Sequence, residues 1–255
     1  MDYIDFKEKV VIVTGASSGI GANAAKAFAV YGAKLTLIGR DECRLLAVAK
    51  HCEAWSKTEP LCLLLDLTQP GSCEIVIEKT IQTFGKINVL VNCAGKRIKS
   101  SMFDTSMESF DEQMNINVRV PVFLTKLALP HLVKTKGNVV NIVSSFTKRY
   151  KEDYVPYTVA KSALKKFTNI AAPELMPHGV RINAVSPGIT KESLANDMVI
   201  RSEVTNTFET LESQLPSGAA LEMKDVVLMI VMVASDIFPN MNGSNTCIDG
   251  ATCMM

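Results

Sequence analysis

A doubly wound α/β fold is the architecture that this 255-residue sequence predicts, on three observations. Short, continuous apolar runs recur along the chain. Stretches with helical spacing separate them, and a glycine-rich turn joins the first run to the first such stretch. Strands that are apolar on both faces belong to a mainly parallel sheet covered by helices on both sides. Strand alternating with helix builds βαβ units.

The first run, Val10-Val11-Ile12-Val13, leads through Thr14-Gly15-Ala16-Ser17-Ser18-Gly19-Ile20-Gly21 into a helical stretch from Ile20 to Tyr31. Glycines in such a turn let the backbone approach a pyrophosphate, and the helix N-terminus adds free N–H groups and a positive dipole. Alone the glycine pattern is weak. The strand before it and the helix after it make it a nucleotide-binding turn.

The second run, Leu35-Thr36-Leu37-Ile38, ends at Gly39-Arg40-Asp41 before a helix from Asp41 to Trp55. An acidic side chain about 20 residues past the glycines would hold the adenosine ribose and favour NAD. Gly39 instead leaves room for a 2′-phosphate, which Arg40 would bind through paired, charge-assisted hydrogen bonds. NADP(H) is therefore favoured over NAD(H). Asp41 keeps the alternative open, since it can pair with Arg40 or turn to the ribose itself.

The third run, Leu61 to Leu65, precedes Asp66 and a helix from Cys73 to Phe84. The fourth, Val89-Leu90-Val91, ends in Asn92-Cys93-Ala94-Gly95, and a helix from Pro121 to Leu132 follows. The fifth, Val139 to Val143, ends at Ser144. The sixth, Ile182 to Val185, leads to Pro187-Gly188, and the last, Thr246-Cys247-Ile248, to Asp249-Gly250. No linker or repeat interrupts the series, so residues 1–255 read as one domain. Residues 190–218 are long, helical in composition and mixed in polarity, just past a strand's carboxyl end. They read as a substrate lid, or else as a surface helical hairpin.

Composition narrows the function classes. A formal net charge of +1 gives no electrostatic case for nucleic acid or an anionic membrane. The segment Met1 to Phe6 is acidic and carries no apolar run, so it does not read as a signal peptide. The run Val226 to Ala234 falls short of the ~20 residues that span a bilayer and reads as a buried helix. Seven cysteines without a C-x-x-C pair or a histidine cluster suggest neither a metal site nor a disulfide framework. Free thiols fit a reducing compartment, with the cytoplasm as default.

The chemistry centres on Tyr157-Thr158-Val159-Ala160-Lys161, where a phenol and an ammonium share one helix face. A phenol of pKa ~10 is a poor proton donor near neutrality; moving it to ~7 needs about 4 kcal/mol, at about 1.36 kcal/mol per unit. Lys161 and a cationic nicotinamide ring together would supply that. Ser144 stands thirteen residues earlier, where a hydroxyl can orient a substrate oxygen.

With these residues the chain resembles a short-chain dehydrogenase/reductase of the single-domain, roughly 250-residue type, over nearly its whole length. The resemblance rests on Thr14 to Gly21, Asn92 to Gly95, Asn117, Ser144, Tyr157, Lys161, Pro187-Gly188 and Asp249-Gly250. It implies a Rossmann-like sheet of seven mainly parallel strands and a catalytic tetrad of Asn117, Ser144, Tyr157 and Lys161. Tyr157 would be the general acid in reduction and the base in oxidation. Lys161 would lower its pKa and bond the nicotinamide ribose, Ser144 would orient the carbonyl, and Asn117 would hold a water near Lys161. Cofactor contacts would come from Gly15, Ser17, Ser18, Gly19, Ile20, Gly21 and Arg40. Asp66 and Leu67 would meet the adenine, Asn92, Ala94 and Gly95 the adenosine ribose, and Pro187, Gly188, Ile189 and Thr190 the nicotinamide end.

Ser145 is the competing serine, one residue too close to Tyr157 for the family spacing. Asn115 and Asn141 read as structural. Cys93 replaces the family's usual second Asn, with little catalytic change expected. Pro173 should kink the helix after Lys161, the helix through which family members usually form homotetramers or homodimers. The loop Lys148 to Tyr154 is unusually charged. Lys96, Arg97 and Lys99 read as a solvated loop, with attraction of an acidic substrate as the alternative.

The expected reaction is hydride transfer between NADP(H) and a ketone or secondary alcohol. Phe146, Tyr150, Tyr154, Met198, Val199 and Phe208 lean toward a lipophilic carbonyl: sterol-like, acyl or xenobiotic. The second reading, a catalytically silent nucleotide-binding scaffold or redox sensor, has no need of Tyr157, Lys161 and Ser144 together.

Overall fold

In the computed structural model, which describes residues 4–148, 153–192 and 212–254, the strands are β1 (Val10–Thr14), β2 (Lys34–Gly39), β3 (Leu61–Leu64), β4 (Val89–Asn92), β5 (Asn138–Ile142), β6 (Arg181–Pro187) and β7 (Asn245–Ile248). They form one sheet in the order β3-β2-β1-β4-β5-β6-β7, and every pairing is parallel. The order reverses between β1 and β4, which opens a crevice at their carboxyl ends.

Helices cover both faces: α1 (Gly19–Val30), α2 (Glu42–Ser56), α3 (Ser72–Phe84), α4 (Met107–Met114), α5 (Val120–Thr135), α6 (Val155–Leu175) and α7 (Met223–Ala234). Strand side chains alternate between two cores, as a period of two requires. Val11, Val13, Leu35, Leu37, Val89 and Val91 pack with Phe28 of α1 and Ile230 of α7. Ile12, Ile38, Leu90, Val139 and Ile182 pack with Val76 of α3, and with Leu124 and Leu132 of α5. Both faces being covered is why these strands read as unbroken apolar runs. The exceptions are the two edge strands: β3, whose Leu64 is 51% exposed, and β7, which is half-buried along its length.

Leu90 is fully buried in a central strand. Leu90→Ala is expected to cost about 3 kcal/mol through lost burial and the cavity left behind. The readout is a lower urea midpoint at unchanged slope.

Between α4 and α5 the chain widens into a π-turn, Asn115–Arg119, which carries Asn117 fully inward. The continuous helical stretch Met107–Thr135 is long and apolar enough by composition to cross a membrane. Its Val120, Leu124, Ala128 and Leu132 are buried in the protein, as in a core helix.

Two boundary expectations shift. Strand β5 stops at Ile142, two residues before Ser144, although the Val143 amide still donates to the Val185 carbonyl at 2.8 Å. Pro173 falls in the last turn of α6, where it hands the chain to a 3-10 turn, Met176–His178, instead of standing mid-helix. Of the expected lid, residues 193–211 lie outside the described residues. Its two bases are clasped together, Leu221 donating to Ile189 at 2.9 Å and Lys191 to Leu221 at 3.2 Å. Residues 149–152 of the charged loop also lie outside.

Candidate active site

A cleft of about 470 Å³ lies at the strand carboxyl ends, within the usual size of a small-molecule site. Its first wall is the turn between β1 and α1. There Ser18 stands at the helix N-cap without spending its side chain on a cap, and the first turn carries no acidic residue. The N-terminal N–H groups and the dipole are thus left for an anion. A Cβ at Gly21 would come within 2.3 Å of the Gly15 carbonyl oxygen, so only glycine lets the helix start this close to the turn. The Thr14 hydroxyl accepts the amides of Cys93 and Ala94 at 3.0 and 2.9 Å, tying this turn to the end of β4.

Arg40 and Asp66 stand at the second wall, their charged ends 3.9 Å apart. Asp66 also accepts from the Thr68 hydroxyl and amide at 2.7 and 2.9 Å. Those bonds, with Arg40 nearby, hold its carboxyl below the usual range. Asp41 does not line the cleft. It caps α2 by accepting from the Arg44 amide at 3.0 Å, and it pairs with the Arg44 guanidinium at 3.1 Å.

The third wall carries the proposed chemistry. The Tyr157 hydroxyl and Ser144 line the same end of the cleft, close enough for Ser144 to act on the phenol. Lys161 is buried on the same helix face, its Nζ 5.9 Å from the Tyr157 ring and donating to the Ile142 carbonyl at 2.8 Å. Burial, the largest influence, pushes the Tyr157 phenol above its ordinary value, opposed by Ser144 and the Arg97 charge. Burial also brings the Lys161 ammonium down to about 8. In the protein alone desolvation outweighs the charges that favour phenolate, and the cationic nicotinamide ring, which the expectation joins to Lys161, would add to the opposing side. A phenol that keeps its proton at neutral pH is suited to donate it.

Gly95 lies against this group. A Cβ there would stand 2.7 Å from Asn117 Oδ1 and 3.3 Å from Lys161 Nζ, displacing both. The Asn117 amide donates to the carbonyls of Lys96 and Gln113 at 2.8 and 2.9 Å, and its Oδ1 accepts the Lys96 amide at 3.3 Å. The Asn117 side chain therefore pins the loop after β4.

With one exception, the expected cofactor residues line this one cleft. The exception is Asn92, whose side chain turns under the sheet and donates to Asn141 Oδ1 at 2.9 Å. Asn141 in turn donates to Thr168 at 2.9 Å, so the pair ties β4 and β5 to α6. Buried amides at a sheet centre must find such partners. Ser145 is buried away from the cleft, which leaves Ser144 as the serine beside Tyr157. Cys93 lines the cleft, but burial pushes its thiol up to about 12, against any thiolate role. Asn115 was read as structural, yet it lines the cleft, and its buried Oδ1 has no hydrogen-bond partner. An orphaned acceptor in the same cleft as an open helix N-terminus and a basic Arg40 fits a nucleotide. Among the described residues, no group of three His, Cys, Asp or Glu side chains is placed to hold a metal ion.

Known proteins are similar to this chain in sequence and in structure. Residues 15–251 match the family described as enoyl-(acyl carrier protein) reductase. The chain is 31% identical to a meso-2,3-butanediol dehydrogenase of Serratia marcescens, covering 96% of this chain and 94% of the relative. It is 33% identical to an L-fucose dehydrogenase of Bos taurus, covering 89% and 83%. Its structure is similar to that of a Caenorhabditis elegans short-chain dehydrogenase/reductase of unknown function solved with cofactor. That pair has a TM-score of 0.88 at 29% identity, over 98% and 97% of the two chains. With the nucleotide cleft and the tyrosine–lysine pair, these likenesses show that the chain belongs to the short-chain dehydrogenase/reductase family of oxidoreductases.

Proposed function

We propose that this chain reduces a ketone, and oxidises the matching secondary alcohol, with NADP(H) as hydride carrier. The observation that carries the reading is Tyr157 and Ser144 lining one cleft, with the buried Lys161 ammonium beside the phenol, where that cleft begins at an uncapped helix N-terminus. The nicotinamide coenzyme supplies the hydride when bound. Ser144 orients the carbonyl oxygen, Tyr157 gives that oxygen its proton, and Lys161 holds positive charge beside the phenol. The dehydrogenase names of the relatives support the alcohol–ketone class. The apolar Val143 and Phe146 beside Tyr157 support a lipophilic flank on the substrate. A screen of NADPH consumption against varied ketones tests the reading; no turnover of any of them would return the chain to the silent-binder class.

A phenol raised above its ordinary value sets the direction of the pH dependence. Reduction needs the protonated form, so its kcat/KM is expected to hold through neutral pH. Oxidation needs the phenolate, so its kcat/KM should climb about tenfold per pH unit on the acid side of that pKa. An oxidation rate that is flat from neutral to alkaline pH would contradict the assignment.

NADP(H) is preferred because Arg40 faces the cleft while Asp41 is committed to α2. Arg40→Ala is expected to raise the KM for NADPH about 10- to 100-fold, the worth of a charged hydrogen bond, and to leave the KM for NADH nearly unchanged. We also place the protein in the cytosol as a homo-oligomer. Support comes from Val159 and Ile170, apolar residues left exposed on α6. Sedimentation of the full chain tests the assembly.

A further inference from the structure

A carboxylate stands at the helix end where the coenzyme's phosphates would come. A Cβ on Gly19, the first residue of α1, would lie 3.9 Å from Glu192 Oε2, the nearest atom of another segment among the described residues. Gly19 lines the cleft, and the helix it opens has neither a side-chain cap nor an acidic first turn of its own. Glu192 therefore brings from elsewhere in the chain the negative charge that this helix end attracts.

Backbone bonds fix where Glu192 starts. The Gly188 amide donates to the Ile248 carbonyl at 2.8 Å, which holds the chain to the end of β7. Leu221 donates to Ile189 at 2.9 Å and Lys191 donates to Leu221 at 3.2 Å, with a parallel bridge between Thr190 and Leu221. The chain is thus anchored up to the residue before Glu192. Lys191 pairs with Glu222 at 2.5 Å, so this neighbouring cation is engaged elsewhere.

A carboxylate and a pyrophosphate at one helix end repel each other, and water and salt scale the repulsion down without removing it. The entering phosphates must also displace a group that the dipole already favours. We infer that Glu192 sets coenzyme affinity: its carboxylate competes with the pyrophosphate for the N-terminus of α1, so the coenzyme is held more loosely and leaves faster. This rests on the reading of the cleft as an NADP(H) site and adds a residue that tunes it. Glu192 moves no proton. Its effect on turnover comes through coenzyme release, a step that limits kcat in many enzymes.

The test is NADPH fluorescence titration of wild type, Glu192→Gln, Glu192→Lys and Glu8→Gln at low and at high salt, with stopped-flow release rates. Adenosine, which carries no phosphate, is titrated as a competitor. Glu192→Gln should tighten NADPH about 3- to 10-fold, the scale of one or two charge pairs a few ångströms apart in water. Most of the gain should be slower release. Glu192→Lys should tighten it further, and both gains should shrink at high salt. Glu8→Gln makes the same charge change before the amino end of β1, where Glu8 pairs with Lys34, and should behave as wild type. Adenosine should bind all four alike. The inference is overturned if Glu192→Gln binds NADPH no more tightly than wild type, if adenosine tightens with it, or if Glu8→Gln gains as much. Tighter NADPH binding by Glu192→Gln with no ketone reduced would support the role of Glu192 and count against hydride transfer. Ketone reduction with NADPH affinity indifferent to residue 192 would do the reverse.

Discussion

Tyr157→Phe is expected to lower kcat for ketone reduction by about 10³-fold or more, at the upper end of what one positioned acid contributes. The change deletes one oxygen from a side chain whose ring is held edge-on against Phe146, so the ring has no reason to move. The lost atom is the one that Ser144 acts on and the one that gives up the proton. Ser144, which orients the same substrate oxygen, cannot replace it as the acid, because an aliphatic hydroxyl is a far weaker acid than a phenol. Coenzyme affinity should change far less, since the helix N-terminus, Arg40 and the loop after β4 are untouched. NADPH fluorescence titration beside steady-state turnover separates the two effects. Retention of more than about a tenth of wild-type kcat, against a 10²- to 10⁴-fold general-acid contribution, would remove Tyr157 from its role.

Why the tetrad was legible and its electrostatics were not follows from which contacts are local. Tyr157 and Lys161 share a helix face by spacing alone, and Gly15 to Gly21 lie between a strand and a helix that any reader of apolar runs would find. Asn92 is different. It is continuous in sequence with Ala94 and Gly95, but strand alternation sends its side chain under the sheet, where Asn141 awaits it from β5. No local pattern announces the π-turn that turns Asn117 inward, so the role of its amide in pinning Lys96 was invisible. Asp41 resolves through a local rule instead: with Arg44 three residues on, it is an N-cap before it is a ribose ligand. The pairing of Lys96 with Glu112 and of Lys99 with Asp153 could not be read from sequence, since those carboxylates come from other segments. The fall in Lys161 and the rise in Tyr157 both come from burial, which exists only once the sheet, α6 and the loop after β4 have closed around them.

Lys161→Met is expected to abolish useful catalysis while making the folded protein more stable at neutral pH. Catalysis falls because the ammonium beside Tyr157 is lost; removing one such preorganised donor is worth about 10²- to 10³-fold in kcat. Stability rises because an ammonium is held in a site almost closed to water. The unfolded lysine keeps its proton until about pH 10.5, whereas the folded one releases it near 8. Between these values the unfolded state binds more protons, so wild-type stability grows as pH rises through that window. Below it the buried charge costs about 3 kcal/mol, at about 1.36 kcal/mol per unit. Methionine fills a similar volume without charge. It gives up the bond to the Ile142 carbonyl, a loss of about 1 kcal/mol. The net gain at pH 7 is then about 2 kcal/mol, shrinking through the window and turning to a loss of about 1 kcal/mol above pH 10.5. Urea unfolding of both proteins at neutral and strongly alkaline pH reads this directly. A variant less stable than wild type at pH 7, or a difference that ignores pH, would mean that Lys161 is not carrying its charge at a desolvation cost. The lysine would then lack the strain that binds its presence to function, since nothing in the packing of α6 alone asks for an ammonium at that position.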